Sequence, residues 1–112
     1  MTVEELTFLI KGSASKPYEV IFIKDGDSLT ALCDCPAGQF GNACKHRIAI
    51  LDGDAAAISS ENADQAPKII EWLAGTDVEA ALAEMRQAEK DPDKTRADVA
   101  VLKKKLARAM NS

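Results

Sequence analysis

Residues 33–46 read Cys33-Asp34-Cys35-Pro36-Ala37-Gly38-Gln39-Phe40-Gly41-Asn42-Ala43-Cys44-Lys45-His46. They contain all three cysteines and the single histidine of a 112-residue chain. Zinc takes four nitrogen or sulfur ligands in a tetrahedron, with thiolates at about 2.3 Å and imidazole nitrogen at about 2.0–2.1 Å. The Cys-x-Cys and Cys-x-His pairs supply such a set. On a strand, residues two apart face the same side, so Cys33 and Cys35 can bite one ion together. Within a regular helix Cys44 and His46 would diverge by roughly 200°. Cys44 is therefore expected at a helix mouth and His46 in the first turn. Gly38 and Gly41 let the intervening loop, residues 36–41, close. The expected cofactor is one structural Zn²⁺, held by Cys33, Cys35, Cys44 and His46. Four protein ligands leave no open position, which a catalytic zinc usually keeps. Three thiolates and one Zn²⁺ would bring the formal net charge from −4 to near −5. Metal binding and folding are expected to be coupled.

Two other readings of the same residues are open. The cysteines could be small buried hydrophobes beside a core histidine, but the matched bites, with no such residues elsewhere, argue against it. A redox-active Cys-x-Cys is the other, and no βαβ pattern surrounds it. Three cysteines cannot all pair within one chain, so a disulfide framework is not expected.

Upstream, residues 18–24 (Tyr-Glu-Val-Ile-Phe-Ile-Lys) are rich in β-branched and aromatic side chains, which favour a strand. Tyr18, Val20, Phe22 and Lys24 share one face. Asp25-Gly26-Asp27-Ser28 is a hairpin turn, and Leu29–Asp34 returns as the next strand. Residues 5–11 read as a first strand, with Thr2 and Glu5 as a possible capping box for a helix instead. Gly12–Pro17 is a turn. Downstream, Asn42 is a candidate N-cap for a short helix over 43–52, stopped by Gly53. Residues 53–65 are small and polar.

The remainder reads as helical. Pro67 suits a first helical position and Gly75 a stop, with Ile69, Ile70 and Leu73 as the apolar face. Thr76 and Glu79 are spaced as a capping box. Val78, Leu82 and Met85 form the next stripe. Asp91-Pro92 breaks that helix, and Val99, Leu102, Leu106 and Met110 line the last. The expected fold class is α+β: a small three-stranded antiparallel β-meander plus a short helix clamped by one zinc, followed by two to three C-terminal helices. The expected division is a zinc-finger domain at 1–55, a linker at 56–66 and a helical segment at 67–112.

The stretch Cys33-Asp34-Cys35-Pro36 with Ala43-Cys44-Lys45-His46-Arg47-Ile48-Ala49 resembles a SWIM-type zinc finger, defined by Cys-x-Cys, a variable loop and Cys-x-His. The resemblance covers roughly residues 6–52 and implies zinc at Cys33, Cys35, Cys44 and His46. Such fingers occur in transposases, chromatin-remodelling ATPases and ubiquitin-type ligases, where they are thought to bind DNA or proteins. Arg47 departs from the pattern, which more often has an apolar residue there. Beyond the finger the chain reads as a small acidic helical tail rather than a large catalytic domain.

Charge bears on partners. Residues 1–50 hold 5 basic and 6 acidic side chains, residues 51–93 hold 3 and 11, and residues 94–112 hold 6 and 1. An acidic belt thus separates a near-neutral half from a basic tail. An acidic chain has no general pull on phosphates. The expected function is a non-enzymatic protein-interaction adaptor, with Phe40 and Trp72 as candidate anchors and a core role as the favoured reading of each. The alternative is a nucleic-acid-binding finger using Lys45, Arg47, Lys103, Lys104 and Lys105, with Arg108, Lys16 and Lys24 in support. A thiol switch that ejects zinc on oxidation is a third possibility. There is no glycine-rich phosphate loop, the one histidine is committed to metal, and Asp52 and Asp54 read as cap and linker residues, so no enzyme or small-molecule substrate is expected. No apolar run approaches the roughly 20 residues of a membrane span. Met1–Gly12 puts acids where a signal peptide needs basic residues. An intracellular, reducing compartment is expected, with nucleus or nucleoid as variants.

Overall fold

The computed structural model describes residues 3–11, 15–39 and 43–111. Thr2, Phe40, Gly41, Asn42 and the first half of the turn at 12–17 fall outside them. The N-terminal half is an antiparallel meander: β1 Val3–Ile10, β2 Tyr18–Asp25 and β3 Ser28–Cys33, in the order β1-β2-β3. The strand reading of residues 5–11 holds, and the helix alternative falls. The turn is tight because Asp25 pairs with Ser28, leaving only Gly26 and Asp27 between the strands. Gly26 takes φ +59°, and no described non-glycine residue has positive φ. This is the pattern of a type II′ hairpin with glycine at its first central position.

Alternation sorts the sheet into two faces. Phe8, Ile10, Val20, Phe22, Leu29, Ala31 and Cys33 point inward and are buried, and Phe8 and Phe22 meet edge to face at 6.1 Å between ring centroids. The outward set contains Val3, Leu9, Ile21, Ile23 and Leu32, none of them buried.

Two short helices come next. The loop expected at 36–41 contains one helical turn, α1 Pro36–Gln39, opened by the Gln39 N–H donating to the Cys35 carbonyl at 2.9 Å. Proline suits that first position because it has no N–H to lose. The finger helix, α2 Lys45–Leu51, is shorter than expected, and Cys44 itself occupies its N-cap in extended conformation. Gly53, at φ +89°, lies just past its end.

Residues 54–65 run back along β1. The Lys11 N–H donates to the Ala57 carbonyl at 2.9 Å, and the Ser59 N–H to the Leu9 carbonyl at 2.7 Å. Ile58 bridges Ile10. The Ser60 hydroxyl accepts from the Leu9 N–H, and the Asn62 amide donates to the Thr7 carbonyl. These polar residues read as a connection in sequence; in the fold they close the open edge of β1, which would otherwise present unpaired backbone groups. A 3₁₀ turn, Glu61–Gln65, leads into α3 Ala66–Leu73.

The helical half comprises α3, α4 Asp77–Lys90 and α5 Arg96–Asn111. Pro67 sits in the first turn of α3. Its buried face is Ala66, Ile69, Trp72 and Leu73. Ile70, expected on that face, is instead 40% exposed, because it lies about 100° round the helix from Ile69. Thr76 caps α4: its hydroxyl accepts from the Glu79 N–H at 3.2 Å and donates to the Leu73 carbonyl at 2.7 Å. The reciprocal arm from Glu79 reaches the Gly75 N–H. Val78, Leu82 and Met85 are buried as expected. After Pro92 the chain makes a turn, and α5 begins at Arg96. Its cap is a second box, Thr95 with Asp98, each side chain accepting the other's backbone N–H. Along α5, Val99 and Leu102 are half-buried while Leu106 and Met110 are fully buried.

One apolar cluster joins both halves. It runs from Phe8, Val20 and Phe22 through the three cysteines to Trp72, Met85, Leu106 and Met110. Trp72, a candidate anchor for a partner, is a core residue, 6% exposed.

Candidate metal centre

Backbone geometry brings the four ligand-type residues together from two directions. Cys33 is the last residue of β3, opposite Val20. Asp34 fixes the corner beyond it. Its N–H donates to the Glu19 carbonyl at 3.2 Å, and its carboxylate accepts from the Glu19 N–H at 2.8 Å. Cys35 then lies just past the strand, at the mouth of α1. From the other side come Cys44, the N-cap of α2, and His46 in its first turn. This is the arrangement the two-residue spacing required, with Cys44 off the regular helix.

The ligand atoms of Cys33, Cys35, Cys44 and His46 lie within 4.8 Å of one another. The Cys33 Sγ to His46 Nδ1 distance is 3.9 Å. A zinc tetrahedron has edges of about 3.6–3.8 Å, from the ligand distances of 2.0–2.3 Å. The four atoms therefore converge and need shifts of only about 1 Å or less to close on an ion of this kind. The cysteines are buried and His46 is half-buried, its ring tilted against Tyr18 with centroids 5.1 Å apart. The residues present fit the metal: a Cys3His set, soft donors, and no carboxylate among them.

The thiols are electrostatically unequal. Hydrogen bonding with Cys33 draws the Cys44 thiol well below its usual range, and the Arg47 side chain and backbone N–H assist. The same pairing, with burial, pushes Cys33 up.

Arg47 is where the sequence reading needs correction. Sequence alone places it among possible nucleic-acid contacts, yet its exposure is 0%. Its Nε donates to Cys44 Sγ at 3.2 Å. Its Nη1 donates to the Ala31 carbonyl at 2.8 Å and to Asn111 Oδ1 at 3.1 Å. A guanidinium so enclosed cannot reach a phosphate. Arg47 lies on the inward side of α2, buried with Ile50 and Leu51, and its head is satisfied internally.

The other cations of that set are dispersed. Lys45 is exposed and shares a cleft with Lys103, but Asp52, Asp54 and Glu89 line it too. Arg86 in the same cleft pairs with Asp52 and Glu89. Lys105 pairs with Glu84 at 2.9 Å. Lys103, Lys104 and Arg108 are exposed on α5, Lys16 is exposed, and Lys24 donates to the Trp72 carbonyl. No helix among the described residues is long and apolar enough to cross a membrane.

No curated protein and no solved structure matches this chain. A family model does match, over the strand, hairpin, cysteine corner and finger helix, and such fingers are generally binding modules rather than catalysts. Residues 18–52 match the SWIM zinc finger, and within them the fold gathers Cys33, Cys35, Cys44 and His46 into one cluster that could hold a metal ion.

Proposed function

We propose that this protein is a non-enzymatic module, stabilised by one structural zinc, that docks a protein partner on the outward face of its sheet. The observation that supports this reading is the composition of that face. Thr7, Ile21 and Leu32 stand abreast in register, as do Glu5, Ile23 and Thr30. Leu9 and Leu32 are each 38% exposed and Val3 60%. Antiparallel sheets with one face in water normally alternate apolar-in with polar-out. Here Val3, Leu9 and Leu32 are exposed and Ile21 and Ile23 half-buried on that outward face, and apolar surface left on a solvent face can mark an interaction site.

The strands' outward positions carry Glu5, Glu19 and Asp25 and no lysine or arginine. That charge opposes nucleic acid and suits a partner segment of alternating apolar and basic residues. A second copy, face to face about a two-fold axis, would set these acids against one another. Burial of Arg47 further weakens the nucleic-acid alternative, since phosphate affinity grows with the number of accessible cations.

The test is fluorescence anisotropy with zinc-loaded protein and two probes. One is a set of synthetic peptides alternating apolar and basic residues, with scrambled controls; the other is generic single- and double-stranded DNA. The expected result is peptide binding that an Ile21→Lys, Leu32→Lys variant loses, and no DNA binding at physiological salt. DNA binding with a steep salt slope, lost in Lys45→Ala, Lys103→Ala, would overturn the reading in favour of a nucleic-acid finger.

A further inference from the structure

We propose that Arg47 is an outer-sphere arm of the metal centre, and that it ties the C-terminal end of α5 to that centre so that zinc loading and docking of α5 are coupled. The inference rests on the zinc reading of the Cys3His cluster and goes beyond it, because α5 lies outside residues 18–52.

The first ground is charge. Three thiolates, a neutral imidazole and Zn²⁺ make a site of net charge −1, enclosed by protein. A guanidinium keeps its charge at any physiological pH. Placed at 3.2 Å from Cys44 Sγ, Arg47 brings the loaded centre and its surroundings to neutrality. Burying a charge without such compensation is strongly unfavourable, and Arg47 is wholly buried. Its donors reach Cys44, Ala31 and Asn111, and of these three Cys44 belongs to the cluster that would hold the ion. An ion on Cys44 would therefore fix the sulfur that Arg47 grips.

The second ground is geometry. Arg47 spans three elements: α2, on which it sits, β3 through the Ala31 carbonyl, and the last turn of α5 through Asn111. The C-terminal end of a helix carries partial negative charge and favours a cation beside it. Leu106 and Met110, in the last two turns of α5, are fully buried in the same core as the three cysteines. With Cys44 pinned by an ion, the arm from its sulfur through Arg47 to Asn111 is fixed at its inner end. With the metal gone that end is released, and the contact to Asn111, on an exposed residue, is the first to give. Second-shell partners of metal ligands also orient them, and losing one typically costs 10–100-fold in metal affinity.

The experiment uses the full chain and two readouts. Zinc affinity is measured by competition with a chromophoric chelator, and amide hydrogen exchange is followed over residues 106–111, with and without zinc. The parent should bind one zinc, and chelation should speed exchange over 106–111. Arg47→Met should weaken zinc by about 10–100-fold, with Arg47→Lys recovering part of the loss because it keeps the charge but not the fork of donors. Asn111→Ala, at an exposed position, should leave zinc bound and speed exchange over 106–111 in the loaded protein. If the parent binds no zinc, the metal reading itself fails and this inference with it. If the parent binds zinc but Arg47→Met stays within about threefold of it, or α5 exchange ignores the metal, the coupling alone is overturned. Should Arg47→Met not fold, Asn111→Ala and the parent's zinc-dependent exchange still decide the matter.

Discussion

Asp34 sets the corner between two metal ligands, and Cys44 caps a helix with its backbone while its sulfur faces the cluster. At this scale each ligand is replaceable only by loss. Cys44→Ser or His46→Ala should drop bound zinc from one equivalent to none and lower the melting temperature, read by elemental analysis and a thermal scan. Acid should do the same reversibly. Protons compete with metal for the thiolates and the imidazole, so zinc affinity should fall on the order of tenfold or more per pH unit below neutrality. In the metal-free protein the signs of the two thiols differ. Cys44, drawn down by Cys33 and Arg47, contributes stability that is present above the ordinary thiol range and fades as pH falls through its depressed value. Cys33, pushed up by Cys44 and burial, contributes below that range and loses its share as pH rises. The metal-free melting temperature should therefore fall both in acid and in strong alkali, and the zinc-loaded protein should lose stability chiefly on acidification. The convergence of Cys33, Cys35, Cys44 and His46 was legible in the sequence because residue type and spacing carry it. The role of Asp34 was not, since its partner Glu19 is 15 positions away across a strand.

Caps decide the helical elements. The Thr76 hydroxyl both accepts from Glu79 and donates to Leu73 in a buried setting, so Thr76→Ala should cost about 1–2 kcal/mol in urea unfolding, from the lost cap. The Thr95–Asp98 box is exposed and acts through charge. The Thr95 N–H holds the Asp98 carboxyl below the usual carboxylate range, with the Thr95 hydroxyl and Lys94 assisting. Its contribution is complete above that range and is lost as pH falls through the depressed value. Amide chemical shifts of Thr95 and Asp98 should titrate in acid in the parent, and Asp98→Asn should remove that titration and fray the first turn of α5 at all pH values. Strands, hairpin and the Thr76 cap were readable from local pattern, and the unread Thr-x-x-Asp signature at 95–98 was present too. The α1 turn and the edge-closing run at 54–62 were not. The hydrogen bonds of that run join residues some 50 positions apart in sequence, such as Ser59 to Leu9 and Asn62 to Thr7.

Across the whole molecule the three cysteines belong to the same apolar cluster as Trp72, Leu106 and Met110. A finger and a tail that were independent would melt separately. Removal of zinc should instead shift one cooperative calorimetric transition to lower temperature, with no residual transition assignable to α3–α5. The outward sheet face should be neutral to this: Ile21→Lys with Leu32→Lys should change the melting temperature by only a few degrees while abolishing partner binding.

The chain's residue order determined the Cys3His cluster, the antiparallel meander and the helical remainder, because period, turn residues and residue spacing act over a few neighbours. The tertiary structure decided which side of each element meets another. It turned Arg47 from a surface cation into a buried partner of Cys44 and Asn111, left Ile70 outside, and left Leu9 and Leu32 exposed on the sheet's outward face. Those outcomes depend on packing between segments distant in sequence, and a charge or a hydrophobe carries no local mark of the neighbour it will find.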